Sequence, residues 1–95
     1  MNADKYEAIN VLIITKGFER EDLQYRLTPY RFHRKNGQVF SIKKIRQHHT
    51  EYRGGSKQFH YMVETKKGYY CRLLFDSKTL SWRLTEISKG GLVYE

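Results

Sequence analysis

Cations and aromatic rings are interleaved along the middle of the chain. Lys and Arg side chains neutralise phosphates and release counterions, whereas rings stack on unpaired bases. The combination predicts non-catalytic binding of nucleic acid, single-stranded or weakly dependent on sequence. The predicted phosphate contacts are Arg31, Arg34, Lys35, Lys43, Lys44, Arg46 and Arg53, and the predicted stacking surfaces are Tyr30, Tyr52 and, as a further candidate, Phe32.

The net charge of +8 is distributed unevenly over the 95 residues. Residues 26–57 contain nine Lys and Arg but a single acid, Glu51, whereas residues 1–25 carry a net −2 and residues 58–95 a net +2. The whole excess therefore comes from the middle third of the chain. Such asymmetry indicates a basic surface for an anionic partner, either nucleic acid or an acidic protein.

Two further readings of the basic segment remain open. The same face could serve a protein-interaction or structural module, because Tyr and Arg are enriched in protein interfaces. Tyr52, Tyr61, Tyr69 and Tyr70 would then dock a partner or build a homodimer through an edge strand. Alternatively, the cations only solvate edge strands and oppose aggregation.

The four histidines are the remaining candidates for chemistry. His48 or His49 with His60, aided by Arg53, could cleave RNA by acid–base catalysis, which makes a small RNA-cleaving enzyme a minor alternative. Adjacent histidines on a strand point to opposite faces, and no ligand spacing matches a structural zinc site. The sequence therefore predicts no catalytic residues, no metal and no cofactor.

Cysteine content and hydropathy bear on location. Cys71 is the only cysteine and cannot form an internal disulfide. Its place in a predicted strand indicates a buried thiol. No apolar run approaches the roughly 18 residues of a membrane span, and residues 1–4 lack the basic start of a signal peptide. These features predict a cytoplasmic protein that does not enter a membrane.

A three-stranded meander organises the second half of the chain. Residues 59–65, 69–76 and 81–87 alternate apolar and polar side chains with a period of two, as half-buried strands do. Gly68 marks the first turn because glycine accepts positive φ. Asp76 and Ser77 mark the second because their side chains bond to the local backbone. Connections this short make the strands antiparallel.

A hairpin is predicted before the meander. Asn36 and Gly37 separate extended runs over residues 30–33 and 38–48, which is a strong hairpin signal because both residues tolerate positive φ. Ile45 falls on the opposite face from Ile42, which predicts a bulge near Lys43. Residues 53–56 read as a flexible loop.

Residues 4–16 fit either of two elements. A cap of Asp4 with Glu7, a stop at Gly17 and a stripe of Tyr6, Ile9 and Ile13 favour a helix. The β-branched run over residues 11–15 favours a strand. We take the helix as the prediction and keep the strand as the alternative. A short helix could also begin at Glu21.

Together these elements predict a single domain over residues 1–95 of mainly β, α+β class. Residues 1–27 would form the N-terminal helix and connector, residues 28–87 the antiparallel sheet, and residues 88–95 a tail that is disordered or adds an edge strand. About five strands would form a small partial barrel or twisted sheet, SH3-like or OB-like in size. The predicted core is Ile9, Ile13, Phe40, Ile42, Val63, Leu73, Phe75, Trp82, Leu84 and Ile87.

Overall fold

The computed structural model describes residues 6–15 and 27–89. This part of the chain holds seven strands and no helix, and hence no helix long and apolar enough to cross a membrane. The strands are β1 (Glu7–Ala8), β2 (Asn10–Thr15), β3 (Leu27–His33), β4 (Val39–Arg53), β5 (Ser56–Thr65), β6 (Tyr69–Asp76) and β7 (Ser81–Lys89). All pairings are antiparallel. The fold is therefore mainly β, as the sequence predicts.

The strand order, β1-β7-β6-β5-β4-β3-β2, explains how the sheet curves. β1 and β2 stand at opposite ends of this order, although only Ile9 separates them in the chain. The sheet must therefore curl into a half-barrel so that one short segment reaches both ends. Ile9 lies at the junction, where its N–H donates to the carbonyl of Trp82 at 3.3 Å and its side chain is buried.

The predicted N-terminal helix is wrong, and so is the count of five strands. The segment read as a helix forms β1 and β2, which raises the number of strands to seven. Val11, Ile13, Ile14 and Thr15 are β-branched, and such side chains lose less freedom in a strand than in a helix. In addition, every residue of β2 pairs with a residue of β3.

Several predictions fall outside the described residues. These are the cap at Asp4, the stop at Gly17, the helix beginning at Glu21 and the end of the tail after Lys89. The first two residues assigned to that tail, Ser88 and Lys89, belong to β7, where they pair with Tyr70 and Tyr69.

The meander lies where the sequence places it. β6 has the predicted bounds, while β5 begins three residues earlier and β7 ends two residues later than predicted. Gly68 has a φ of +91°, and its N–H donates to the carbonyl of Thr65 at 3.0 Å. These turns depend on local chemistry, which is why the sequence reveals them.

The two earlier hairpins differ in detail from the prediction. Gly37 has a φ of +92°, but Asn36 keeps a negative φ and instead accepts a bond from the N–H of Gln38 through its side-chain oxygen at 2.9 Å. Gly54 and Gly55, read as part of a flexible loop, form a two-residue turn with φ of +55° and +81°. A two-residue turn of this kind fixes the register of β4 on β5.

β4 contains the predicted bulge and a second one. Its register on β5 shifts between Ile42 and Lys44 and again between Ile45 and Gln47, so Lys43 and Arg46 are the extra residues. Each bulge increases the local twist of a strand. Ile42 and Ile45 consequently both pack against the core.

The core lies on the concave side of the sheet. Seven of the ten predicted core residues are buried, and Ile42 and Ile87 are partly buried against them. Ile13 is the exception at 37% exposure; it belongs to β2, the last strand of the order, which among the described strands has a neighbour on one side only. The cluster also contains Leu27, Phe32, Phe59 and Tyr61, which the sequence did not mark as core, and Cys71, whose burial it predicted. Phe32, a candidate for base stacking, and Tyr61, a candidate for docking a partner, are therefore buried.

Cys71 provides a probe of this core. Its side chain is 1% exposed, and burial raises the pKa of the thiol to about 11. Because the thiolate is the reactive form, the native protein should react with a disulfide reagent at neutral pH only as fast as it unfolds. Following the release of coloured thiolate with and without denaturant measures this. Rapid labelling without denaturant would contradict the packing around β6.

Candidate nucleic-acid interface

Three side chains stand side by side on the convex face of the sheet. In register, Lys44 of β4 pairs with Glu64 of β5, and Glu64 pairs with Tyr70 of β6. Directly paired residues of antiparallel strands share a face. Val63 and Thr65, which flank Glu64, point into the core. Alternation therefore places Lys44, Glu64 and Tyr70 on the opposite, outer surface.

The two bulges of β4 bring further cations to this place. Arg46 Nη1 lies 3.1 Å from Glu64 Oε1, and Lys43 Nζ lies 3.8 Å from Glu64 Oε2. Both are extra residues at register shifts, and a bulge redirects the side chains it carries. Lys43, Lys44 and Arg46 therefore gather around one carboxylate. We call Lys43, Lys44, Arg46, Glu64 and Tyr70 the Glu64 cluster.

The Glu64 cluster has an excess of positive charge, with three cations against one carboxylate. The side chains of Lys43 and Arg46 are 61% and 49% exposed. Ion pairs this exposed contribute about 0–1 kcal/mol, because water screens them. The cations can therefore turn towards another anion with little effect on the fold.

A pocket adjoins the Glu64 cluster. Its volume is about 320 Å³, and Arg46, Gln47, Met62, Val63, Tyr70 and Ser88 line it. The Arg46 guanidinium lies 5.6 Å from the centre of the Tyr70 ring. The walls thus combine an aromatic ring and a thioether with amide, hydroxyl and guanidinium groups, which together suit a flat heterocycle.

Arg34, a predicted phosphate contact, is placed in an ion pair. Its Nη2 donates to Glu7 Oε1 at 2.8 Å, and its Nε lies 3.1 Å and 3.2 Å from the two carboxylate oxygens. This hydrogen bonding lowers the pKa of Glu7 and raises that of Arg34. Because Glu7 belongs to β1 and Arg34 directly follows β3, the pair links the first strand of the order to the second-to-last one. An acid of the amino-terminal third thus neutralises one cation of the middle third.

The other predicted residues lie in separate places. Arg31 is next to Tyr30 on β3, with its guanidinium carbon 5.7 Å from the ring centre, and Lys35 lies in the turn after β3. Tyr52 and Arg53 end β4, about 30 Å along the strand from Lys43 at the usual rise per residue. The predicted set is therefore several groups, and only Lys43, Lys44 and Arg46 come together in the Glu64 cluster.

A second group of polar side chains lies further along the same outer face. His49 pairs with His60 in register, and their rings stack with centres 4.5 Å apart and planes 5° apart. Glu51, two residues beyond His49, places Oε1 3.0 Å from His60 Nε2. Burial lowers the pKa of His60, while the bond to Glu51 opposes this shift.

The histidine geometry separates the residues named for RNA cleavage. His48 pairs with Tyr61 and therefore lies on the face opposite His49 and His60. The acid and the base of a cleavage reaction must flank the reacting phosphate. The rings of His49 and His60 are stacked on each other in this structure, so they would have to separate before they could flank a phosphate.

Sequence reasoning missed Glu64, Gln47, Met62 and Ser88 as site residues, and it named Tyr70 only as a candidate for docking a protein partner. Gln47 lies within the basic segment, but the other four follow it in the chain, and the register of β4, β5, β6 and β7 brings them together. The pairing of Lys44 with Glu64 follows from the turn at Gly54 and Gly55 and from the bulge at Arg46. The sequence predicted a flexible loop at the first place and no bulge at the second.

Compared with family models, curated proteins and solved structures, the chain matches none of them.

Proposed function

We propose that the chain binds single-stranded nucleic acid through the Glu64 cluster and its pocket. Lys43, Lys44 and Arg46 contact successive phosphates, and one unpaired base enters the pocket to stack on Tyr70. The observation that carries the proposal is the convergence of three cations beside a pocket walled by an aromatic ring.

Each feature of the cluster supports a step of this binding. The weak ion pairs to Glu64 hold the cations near the pocket until phosphates replace the carboxylate. Met62 and Tyr70 supply apolar and aromatic surface, and base stacking on an aromatic ring contributes about 1–3 kcal/mol per base. The pocket favours single strands because the bases of a duplex are paired and stacked within the duplex and cannot enter the pocket.

The direct test is a titration of labelled single-stranded and double-stranded oligonucleotides at two salt concentrations. Three phosphate contacts on a single strand predict a log–log slope of affinity against salt of about −2. We expect tighter binding to the single strand. No binding to any oligonucleotide at low salt would overturn the proposal. A protein partner held through the tyrosines of this face would instead respond little to salt.

Matched variants test whether the Glu64 cluster is the surface that contacts the oligonucleotide. Lys43→Gln, Lys44→Gln and Arg46→Gln together should weaken binding by roughly tenfold or more and bring the slope close to zero, since three charge contacts are lost. Tyr70→Leu should weaken binding without changing the slope, because it removes stacking alone. The control carries the same charge change at exposed positions outside the cluster, Lys57→Gln, Lys78→Gln and Arg83→Gln. Equal losses in the control and the cluster variant would show that only overall charge matters.

A further inference from the structure

The outer face of β4 and β5 brings two imidazoles and a carboxylate together. His49 and Glu51 alternate on β4, and the pairing of His49 with His60 adds the third side chain from β5. One ligand-type atom from each residue lies within 4.8 Å of the others. The three residues span only two neighbouring strands, whose register the Gly54–Gly55 turn fixes.

We propose that His49, Glu51 and His60 form a binding site for a divalent transition-metal ion of the Zn²⁺ type. Two imidazole nitrogens and one carboxylate oxygen are a donor set that Zn²⁺ accepts, and three protein ligands leave one position for water. Imidazole ligands favour zinc, copper, nickel and iron over magnesium or calcium. The site is independent of the proposed binding of nucleic acid.

The distances fit this assignment after a small movement. At the usual bond lengths of about 2.0–2.2 Å, two ligands of a tetrahedral zinc ion lie about 3.4 Å apart. Glu51 Oε1 and His60 Nε2, at 3.0 Å, are already close to this separation. The stacked rings direct their lone pairs side by side, so one ring must turn to face the ion. His49 is exposed, and the terminal torsion of histidine is broad, so its ring can make this turn.

The surroundings favour His60 as an anchor. Its side chain is 13% exposed, which restricts its motion, whereas Glu51 is 48% exposed and can adjust to the ion. Neutral imidazole is the form that binds metals. The charges that face His60 are Glu51, His49 and Arg72, of which the last two disfavour a proton on it. A metal ion would replace the proton that otherwise links His60 and Glu51.

His48 supplies an internal control. It is the same residue type one position before His49, is also exposed, and lies on the opposite face. A surface histidine that binds metal by chance would contribute from either position. A site built by the β4–β5 register requires His49 and not His48.

The experiment uses the full chain after treatment with a chelator and dialysis. Zn²⁺ is titrated calorimetrically, and Co²⁺ is added separately so that its visible absorption reports the coordination. We expect one Zn²⁺ to bind per chain and to raise the Tm. The affinity for Zn²⁺ should fall in His49→Gln and in Glu51→Gln by more than roughly tenfold, the loss typical of removing a residue that only hydrogen-bonds to a metal ligand. His48→Gln should retain the affinity of the parent. Failure of the folded parent to bind Zn²⁺, or equal losses in His48→Gln and His49→Gln, would overturn the proposal.

Discussion

Phe32→Ala is expected to lower the free energy of unfolding by about 3–5 kcal/mol, a large part of the stability of a domain this small. Phe32 is fully buried and stacks on Phe40 with ring centres 5.1 Å apart. Phe40 meets the edge of Tyr69 at 5.3 Å. Removing the Phe32 ring leaves a cavity between β3 and β4, where Phe32 pairs with Phe40.

Denaturant unfolding followed by tryptophan fluorescence measures this loss, because Trp82 belongs to the same core cluster. Phe32→Leu retains most of the volume and should cost only about 1 kcal/mol, which keeps the effect measurable if the alanine variant does not fold. Tyr30→Ala is the matched control on β3, where the ring is 49% exposed, and should change stability by no more than about 0.5 kcal/mol. Similar losses for Phe32→Leu and Tyr30→Ala would contradict the assignment of Phe32 to the core.

Elements with local signals were readable from the sequence. Gly68 and Asp76 fix the turns of the meander through their own backbone and side-chain chemistry, so β5, β6 and β7 could be placed closely. The pattern around Glu7 and Ile9 was misleading: Glu7 fitted a helix cap and Ile9 an apolar helical stripe, but both residues lie in the β1–β2 segment, which forms no helix. What decides that segment is pairing with β3 and β7, which are distant in sequence.

The candidate site depends on register more than on composition. Lys44 pairs with Glu64 because Arg46 is bulged, and one residue of slip would turn each side chain to the other face. Composition marked a basic segment but could not pair Arg34 with Glu7. The same limit applies to His49 and His60, whose separation matches no zinc motif because a sheet pairing, not a loop, brings them together.

Asp76→Ala should cost about 2–3 kcal/mol, although part of the Asp76 side chain remains accessible to solvent. Asp76 Oδ1 accepts bonds from Ser56 Oγ at 2.6 Å and from the N–H of Lys78 at 2.9 Å. The carboxylate thus ties the start of β5 to the turn between β6 and β7. Alanine would leave the hydroxyl of Ser56, a buried residue, without its best acceptor. Asp76→Asn keeps an acceptor oxygen but loses the charge, so a loss of about 1 kcal/mol is expected.

The dependence of stability on acid pH shows how much of the effect of Asp76 comes from its charge and how much from its shape. The bond from Ser56 is the main reason that the pKa of Asp76 is lowered in the folded protein, followed by the bond from the Lys78 backbone. A lowered folded pKa gives stability that is complete above the unfolded pKa of about 3.9 and is lost as pH falls towards the folded value. The parent should therefore lose stability below about pH 4 more steeply than Asp76→Asn. Asp76→Asn should still lose the stability that comes from Glu7, because the bond to Arg34 lowers the pKa of Glu7 as well. Unfolding by urea at a series of pH values gives both curves, and equal slopes below pH 4 would show that the Ser56 bond does not depend on the charge of Asp76.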